Sequence, residues 1–336
     1  MMPGSESTEP TTAPRGHALG FGCASLYGLP GRRERRAVLE SAYDLGIRHF
    51  DVAPIYGLGI AEAELGDFAQ AHNDIRIATK FGIRPTVIGR MAGFVQPPVR
   101  RMLQTSTTVK SKVKQSGAAP DAGVVGRVLY SRGDYSVAAA KRALLSSLRV
   151  LRTARIDYFL LHEPHAVLAD DYQDLVDYLE TQRSRDVIGC WGPAGDLSRA
   201  DDASVATLSA RAPALQCPYD LIAGYRGPQP ERDRLNITFG FLAEALPRVI
   251  GVMSSEPEFR AQCSELLDAD LGDPRTVLRL LVRDAVAHNP SGTVLVSSTK
   301  IKNLEMTCGS VDVALRNEVQ VANMIRDCFL GVRAAR

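Results

Sequence analysis

Eight short apolar runs, separated by longer amphipathic segments, limit what this chain can fold into more than any other feature. They lie at 17–26 (HALGFGCASL), 47–52 (IRHFDV), 75–80 (IRIATK), 156–162 (IDYFLLH), 186–191 (DVIGCW), 214–219 (ALQCPY), 248–253 (RVIGVM) and 293–298 (TVLVSS). Each has strand length. Between them, 32–46, 61–71, 136–151, 172–184, 239–246 and 275–289 carry apolar residues at helical spacing. Strands that alternate with helices imply parallel βαβ units, and eight such units close into an α/β fold of the (β/α)8 TIM-barrel type. An open doubly wound sheet is the rival. Its GxGxxG fingerprint is missing, because Gly20 and Gly22 are followed by Ser25 where the third glycine should stand. The fifth unit is the weakest, since GDLSRADDASVATLSARAP promises only a short helix.

One barrel over 17–336 is the expected organisation, behind a polar, disordered leader at 1–16 rich in Pro, Ser and Thr. That leader lacks the charged start and apolar run of a signal peptide, and no stretch has the roughly 18 apolar residues of a membrane helix. A soluble cytoplasmic protein with no membrane partner is expected. Lys and Arg number 40 against 38 acids, so the surface as a whole is not built for nucleic acid. The six cysteines are scattered without a CxxC, and no metal site is expected. One connection is too long for an ordinary βα loop: an insertion at 82–135 follows the third strand. No acid occurs between Asp74 and Asp121, whereas Arg84, Arg90, Arg100, Arg101, Lys110, Lys112 and Lys114 supply positive charge. This basic stretch reads either as a solvated disordered loop or as a lid over the catalytic face that recognises an anionic or sugar-linked substrate.

Four reactive side chains fall at strand ends or just beyond: Asp51 at the end of the second strand, Tyr56 in the following loop, Lys80 at the end of the third and His162 at the end of the fourth. Strand ends of a barrel share one face, which is where barrel enzymes place their chemistry. Taken singly, each has a plain structural role: a turn cap, a surface phenol, a solvated amine, a hydrogen-bonded histidine. Together they suit reduction of a carbonyl. Hydride addition leaves negative charge on oxygen, so a proton donor and a fixed positive field are needed there. A free phenol is too weak an acid, with a pKa near ~10, and an adjacent ammonium lowers it. Lys80 supplies that charge, Asp51 keeps the lysine protonated, and neutral His162 orients the carbonyl.

DVAPIYG followed by AEAELG, then IRIATK and IDYFLLHEP, resembles the aldo-keto reductase superfamily. The resemblance implies a (β/α)8 barrel that binds NADPH in an extended pose without a Rossmann domain, NADH not being excluded. It implies hydride transfer to an aldehyde, ketone or sugar carbonyl, with Asp51, Tyr56, Lys80 and His162 as the catalytic set. The oxidative direction, with Tyr56 as base in a sugar dehydrogenase, is the nearest alternative. A regulatory barrel that binds cofactor and turns over little is another.

The same resemblance nominates cofactor contacts. Gly22 in the first apolar run is one candidate, Trp191 stands where the family has a serine that holds the nicotinamide amide, and Gln216 matches a family glutamine with the same task. Tyr219 is a candidate stacking ring. After the seventh strand, Ser254 stands in for a loop that wraps the pyrophosphate. In VSSTKIKNLEMT, Ser298 occupies a phosphate-contacting position, Lys300 is a candidate partner for a 2′-phosphate, and Asn303 replaces the family's arginine. Substrate identity, direction and oligomeric state are not readable from these residues.

Overall fold

The computed structural model describes residues 18–85, 130–164, 172–199, 203–228 and 234–331. The leader at 1–16 and the core of the insertion, 86–129, lie outside the described residues. The strands are β1 (Leu19–Gly22), β2 (His49–Asp51), β3 (Arg76–Phe81), β4 (Ile83–Pro85), β5 (Tyr130–Arg132), β6 (Ile156–His162), β7 (Ile188–Ala194), β8 (Ala214–Asp220), β9 (Gly224–Tyr225), β10 (Leu235–Phe239) and β11 (Thr293–Val296). Eight of them, β1, β2, β3, β6, β7, β8, β10 and β11, pair in parallel in that order, and β11 pairs back onto β1. The sheet is therefore a closed (β/α)8 barrel. Two short antiparallel pieces stand outside it: β9 against β8, and the ribbon of β4 and β5 through which the 82–135 insertion leaves and returns.

Side chains alternate across each strand, so every strand feeds two cores. Ala78, Tyr158, Leu160, Ala194, Ala214, Ile237 and Leu295 fill the barrel interior. The opposite faces, with Phe21, Phe50, Phe159, Trp191 and Leu215, pack under the surrounding helices. Those helices are α1 (Arg32–Asp44), α2 (Ala61–Ala69), α3 (Val137–Leu151), α4 (Tyr172–Ser184), α5 (Ala203–Arg211), α6 (Ala245–Ser255), α7 (Pro257–Leu267), α8 (Pro274–His288), α9 (Ile301–Gly309) and α10 (Glu318–Leu330). Their starts follow local chemistry. Ser136 Oγ caps α3 by accepting from Ala139 N, and Asp273 does the same for α8 ahead of Pro274. A β-carbon at Gly192 of β7 would lie 1.7 Å from Ala214 O, so the approach of β7 to β8 there requires glycine.

The seventh strand is not where the apolar pattern puts it. RVIGVM forms the middle of α6, with Val249 and Met253 buried one helical turn apart. The strand is instead LNITF, β10, whose first four residues belong to none of the apolar runs and whose last, Phe239, falls in the segment expected to be a helix at 239–246. Its outward residues are polar, which masks the apolar signal: Asn289 Nδ2 donates to Asn236 O, Thr238 Oγ1 and Thr293 O at 2.9, 3.3 and 3.2 Å. The weak fifth unit has the short helix expected of it, α5. Among the described residues no helix is long and apolar enough to cross a membrane.

Candidate active site

The register of the parallel strands decides which side chains meet. Gly22 lies beside Asp51, Asp51 beside Ala78, Lys80 beside Leu160, His162 beside Ala194, and Ala194 beside Gln216. Eight inward positions, Gly22, Asp51, Lys80, His162, Ala194, Gln216, Phe239 and Leu295, one from each barrel strand, line a cleft of about 350 Å³. Residues just past the strands complete its wall: Ala24, Ile55, Tyr56, Glu163, Gly195, Gly240 and Ser297.

At the cleft floor Lys80 and Asp51 are both 3% exposed, and Lys80 Nζ donates to Asp51 Oδ1 at 2.6 Å and to Val52 O at 3.2 Å. The other carboxylate oxygen of Asp51 accepts from Gln216 Nε2 at 2.7 Å. Two donors from different strands thus satisfy a buried acid that would otherwise be costly. Pro54 breaks the chain after β2, and Tyr56 N bonds back to Ala53 O at 3.0 Å. That turn returns the phenol over the lysine, 3.5 Å from Nζ. The Tyr56 and His162 rings meet edge to face, with centroids 6.3 Å apart and planes at 87°. Tyr135 fixes the backbone beyond β6, its hydroxyl donating to His162 O and, at 2.9 Å, to Glu163 O.

Burial is the strongest influence on the Tyr56 phenol and holds its pKa above the ordinary value, while the Lys80 ammonium works against that rise. Burial would also strip Lys80 of its proton, but the Asp51 carboxylate and the Tyr56 oxygen outweigh it and keep the amine above the usual lysine range. At neutral pH the arrangement is therefore a protonated phenol beside a permanent ammonium. A carbonyl oxygen placed between Tyr56 and His162 would face both a proton and a fixed positive field.

The structure brings Asp51, Tyr56, Lys80, His162, Gly22 and Gln216 to this one cleft. Three nominated residues need correction. Trp191 is fully buried on the outward face of β7, and its Nε1 donates to Glu180 Oε1 of α4 at 2.7 Å, so it reaches no cofactor space. Tyr219 also points outward: its hydroxyl donates to Asp284 Oδ2 at 2.6 Å and its ring stacks on His288 of α8 at 4.0 Å. Ser254 sits in the last turn of α6, an element expected to be a strand, and its hydroxyl donates to Ile250 O at 2.8 Å. Ser298, Lys300 and Asn303 lie outside the cleft wall at the start of α9, where Ser298 Oγ accepts from Lys300 N and donates to Lys300 O, each at 3.0 Å.

Sequence reasoning missed Phe239, Gly240, Glu163 and Ser297. The first two follow at once if LNITF is read as the strand. Glu163 and Ser297 sit next to residues that were singled out, and the available signal was simply their place at strand ends.

A model of the Aldo/keto reductase family matches residues 18–220. A D-threo-aldose 1-dehydrogenase of Pseudomonas sp is 42% identical over 97 residues, which is 26% of this chain and 30% of that enzyme. The match thus spans well under two thirds of that relative's length. Among solved structures, the holo form of an aldo-keto reductase from Bacillus halodurans superposes with a TM-score of 0.62 at 20% identity, covering 92% of this chain and 91% of its own. An aldo-keto reductase from Klebsiella pneumoniae in complex with NADPH gives 0.56 at 18% identity, covering 92% of this chain and 91% of its own.

Proposed function

Because this chain belongs to the aldo/keto reductase family, we propose that it is a nicotinamide-dependent oxidoreductase of aldehyde, ketone or sugar carbonyls in which Tyr56 is the proton donor. One observation carries the reading: a buried ammonium, Lys80, lies 2.6 Å from Asp51 and 3.5 Å from the Tyr56 hydroxyl, at the base of a cleft whose opposite wall is His162.

The residues present fit an extended dinucleotide. Gln216 spends its amide nitrogen on Asp51, which leaves its amide oxygen as an acceptor for a carboxamide. Gly22, Gly195 and Gly240 leave cleft walls without side chains, and a β-carbon at Gly240, whose φ is +88°, would meet only open space. Ser297 marks the path towards Ser298, Lys300 and Asn303 at the start of α9, where the phosphate end would be held. NADPH is the preferred form in this proposal, supported by the NADPH complex of the Klebsiella pneumoniae neighbour.

When bound, the reduced nicotinamide supplies a hydride to the carbonyl carbon. Tyr56 gives its proton to the carbonyl oxygen as charge develops there, and Lys80 stabilises the phenolate left behind. Asp51 keeps Lys80 charged against the pull of burial. His162 orients the oxygen, and the apolar wall of Ile55, Phe239 and Leu295 limits water. In the oxidative direction Tyr56 acts as base, and the aldose dehydrogenase named among the relatives supports a sugar lactol or alcohol as substrate there.

Tyr56→Phe tests the assignment. Steady-state reduction of a small aldehyde should fall by about 10²–10⁴-fold, the range for loss of a general acid, while dinucleotide binding by fluorescence titration changes little. Full activity in the folded variant would remove Tyr56 from the chemistry.

A further inference from the structure

Directly after His162 the backbone does something unusual for a bulky residue: Glu163 takes a φ of +51°, in the left-handed region that favours glycine. Two hydrogen bonds hold it there, from its own N to Ala194 O at 2.7 Å and from Tyr135 Oη to its carbonyl at 2.9 Å. The residue lines the cleft and is half-buried. Among the described residues no donor or cation meets its carboxylate.

The other carboxylate and the serine of the wall are already engaged, and the amide oxygen of Gln216 is the one assigned above to the dinucleotide. Asp51 is shared by Lys80 and Gln216, and Ser297 Oγ donates to Gly22 O at 2.8 Å beside Ser25 Oγ at 2.6 Å. An acceptor with four lone-pair sites is therefore left over on the wall of a cleft whose floor handles a carbonyl. A carboxylate there repels anions at short range. It also accepts strongly from a hydroxyl. A substrate ammonium could meet it too, but Ile55, Phe239 and Leu295 make the neighbouring wall apolar, and desolvating a full charge costs far more than desolvating a hydroxyl.

We propose that Glu163 is a specificity-determining residue that selects uncharged, hydroxyl-bearing carbonyl compounds, such as hydroxyaldehydes and aldoses, by accepting a hydrogen bond from a substrate hydroxyl, and that it disfavours anionic substrates. The inference rests on the oxidoreductase reading above and deepens it. It runs against the expectation of an anionic substrate drawn from the basic stretch at 82–135, whose central residues lie outside the described ones.

Four aldehydes of differing charge test it with the full chain and reduced nicotinamide: glyceraldehyde, propanal, succinic semialdehyde and 3-aminopropanal. Glu163→Gln removes the charge and keeps an acceptor, whereas Glu163→Gly removes both and suits the left-handed backbone, so folding is protected. In Glu163→Gly the ratio of kcat/KM for glyceraldehyde to that for propanal should fall about tenfold or more, the loss expected for one charge-assisted hydrogen bond. In Glu163→Gln it should fall less. The ratio for succinic semialdehyde to propanal should rise several-fold in both. Ratios unchanged within about twofold in both folded variants, or a preference of the unsubstituted chain for 3-aminopropanal over glyceraldehyde, would overturn this inference alone. No turnover of any of the four aldehydes by the unsubstituted chain would overturn the oxidoreductase reading and this inference with it.

Discussion

Replacing Lys80 with methionine removes the positive charge while keeping most of the buried volume. The ammonium lies 3.5 Å from the Tyr56 hydroxyl. With an effective dielectric of about 20, a unit charge at that distance stabilises a full phenolate by roughly 5 kcal/mol. If about half of that charge has developed when the carbonyl is protonated, the barrier rises by about 2 kcal/mol, so kcat for reduction should fall at least about 30-fold. The pH profile carries a sharper signature. In the proposed mechanism reduction uses the protonated phenol and oxidation the phenolate, so oxidation should rise as pH passes through the phenol's pKa. Burial already holds that pKa high, and Lys80 is what opposes it. Lys80→Met should therefore move the rise in oxidation to still higher pH. The single variant also strands the Asp51 carboxylate with Gln216 as its remaining side-chain donor, a loss of about 3–5 kcal/mol in stability. The double variant Asp51→Asn with Lys80→Met leaves no unpaired charge and separates folding from chemistry. Steady-state rates in both directions, read from nicotinamide absorbance across pH, provide the assay. A folded double variant with kcat within threefold of the parent and an unshifted profile would refute the electrostatic role.

Two further predictions concern groups away from the reaction. Trp191→Phe should cost about 1–3 kcal/mol in denaturant unfolding followed by circular dichroism, from the lost bond to Glu180 and the cavity left in the core. Its dinucleotide affinity should stay within about twofold, and a larger change would mean the ring reaches the site after all. Glu62 is 5% exposed, accepts from Thr79 and Ser147 hydroxyls at 2.7 Å each, and burial holds its carboxyl above the ordinary range. The folded state therefore binds this proton more tightly than the unfolded chain. Stability from Glu62 is complete below the unfolded carboxyl's pKa and is lost as pH rises through the folded one. Glu62→Gln should flatten that decline in unfolding measurements across pH, and an unchanged slope would count against a protonated Glu62 in the fold.

How far the site was legible depends on which residues carry it. Asp51, Lys80 and His162 lie on strands whose apolar runs are plain, and Tyr56 follows a chain break at Pro54, so position along the chain was enough to group them. RVIGVM and LNITF show the limit. A six-residue apolar run has no intrinsic preference between a buried helix face and a buried strand. β10, in turn, hides its strand character because its outer residues bond to Asn289 rather than pack. The expected count of eight strands was thus reached with one wrong member.

What the sequence determined by itself was the alternation that closes a parallel barrel and the places, at or just past strand ends, of the four side chains that meet in the cleft. Tertiary structure alone decided which side of each strand faces the cleft. Trp191 and Gln216 are equally conspicuous in the chain, yet one sits on the outward face of β7 and the other on the inward face of β8. Because side chains alternate with a period of two, a shift of one residue exchanges interior for exterior, and only the closed register fixes that choice. The same register placed Glu163 beside Ala194, past the end of β6, and so gave the cleft a carboxylate whose only signal in the sequence was its place after a strand end.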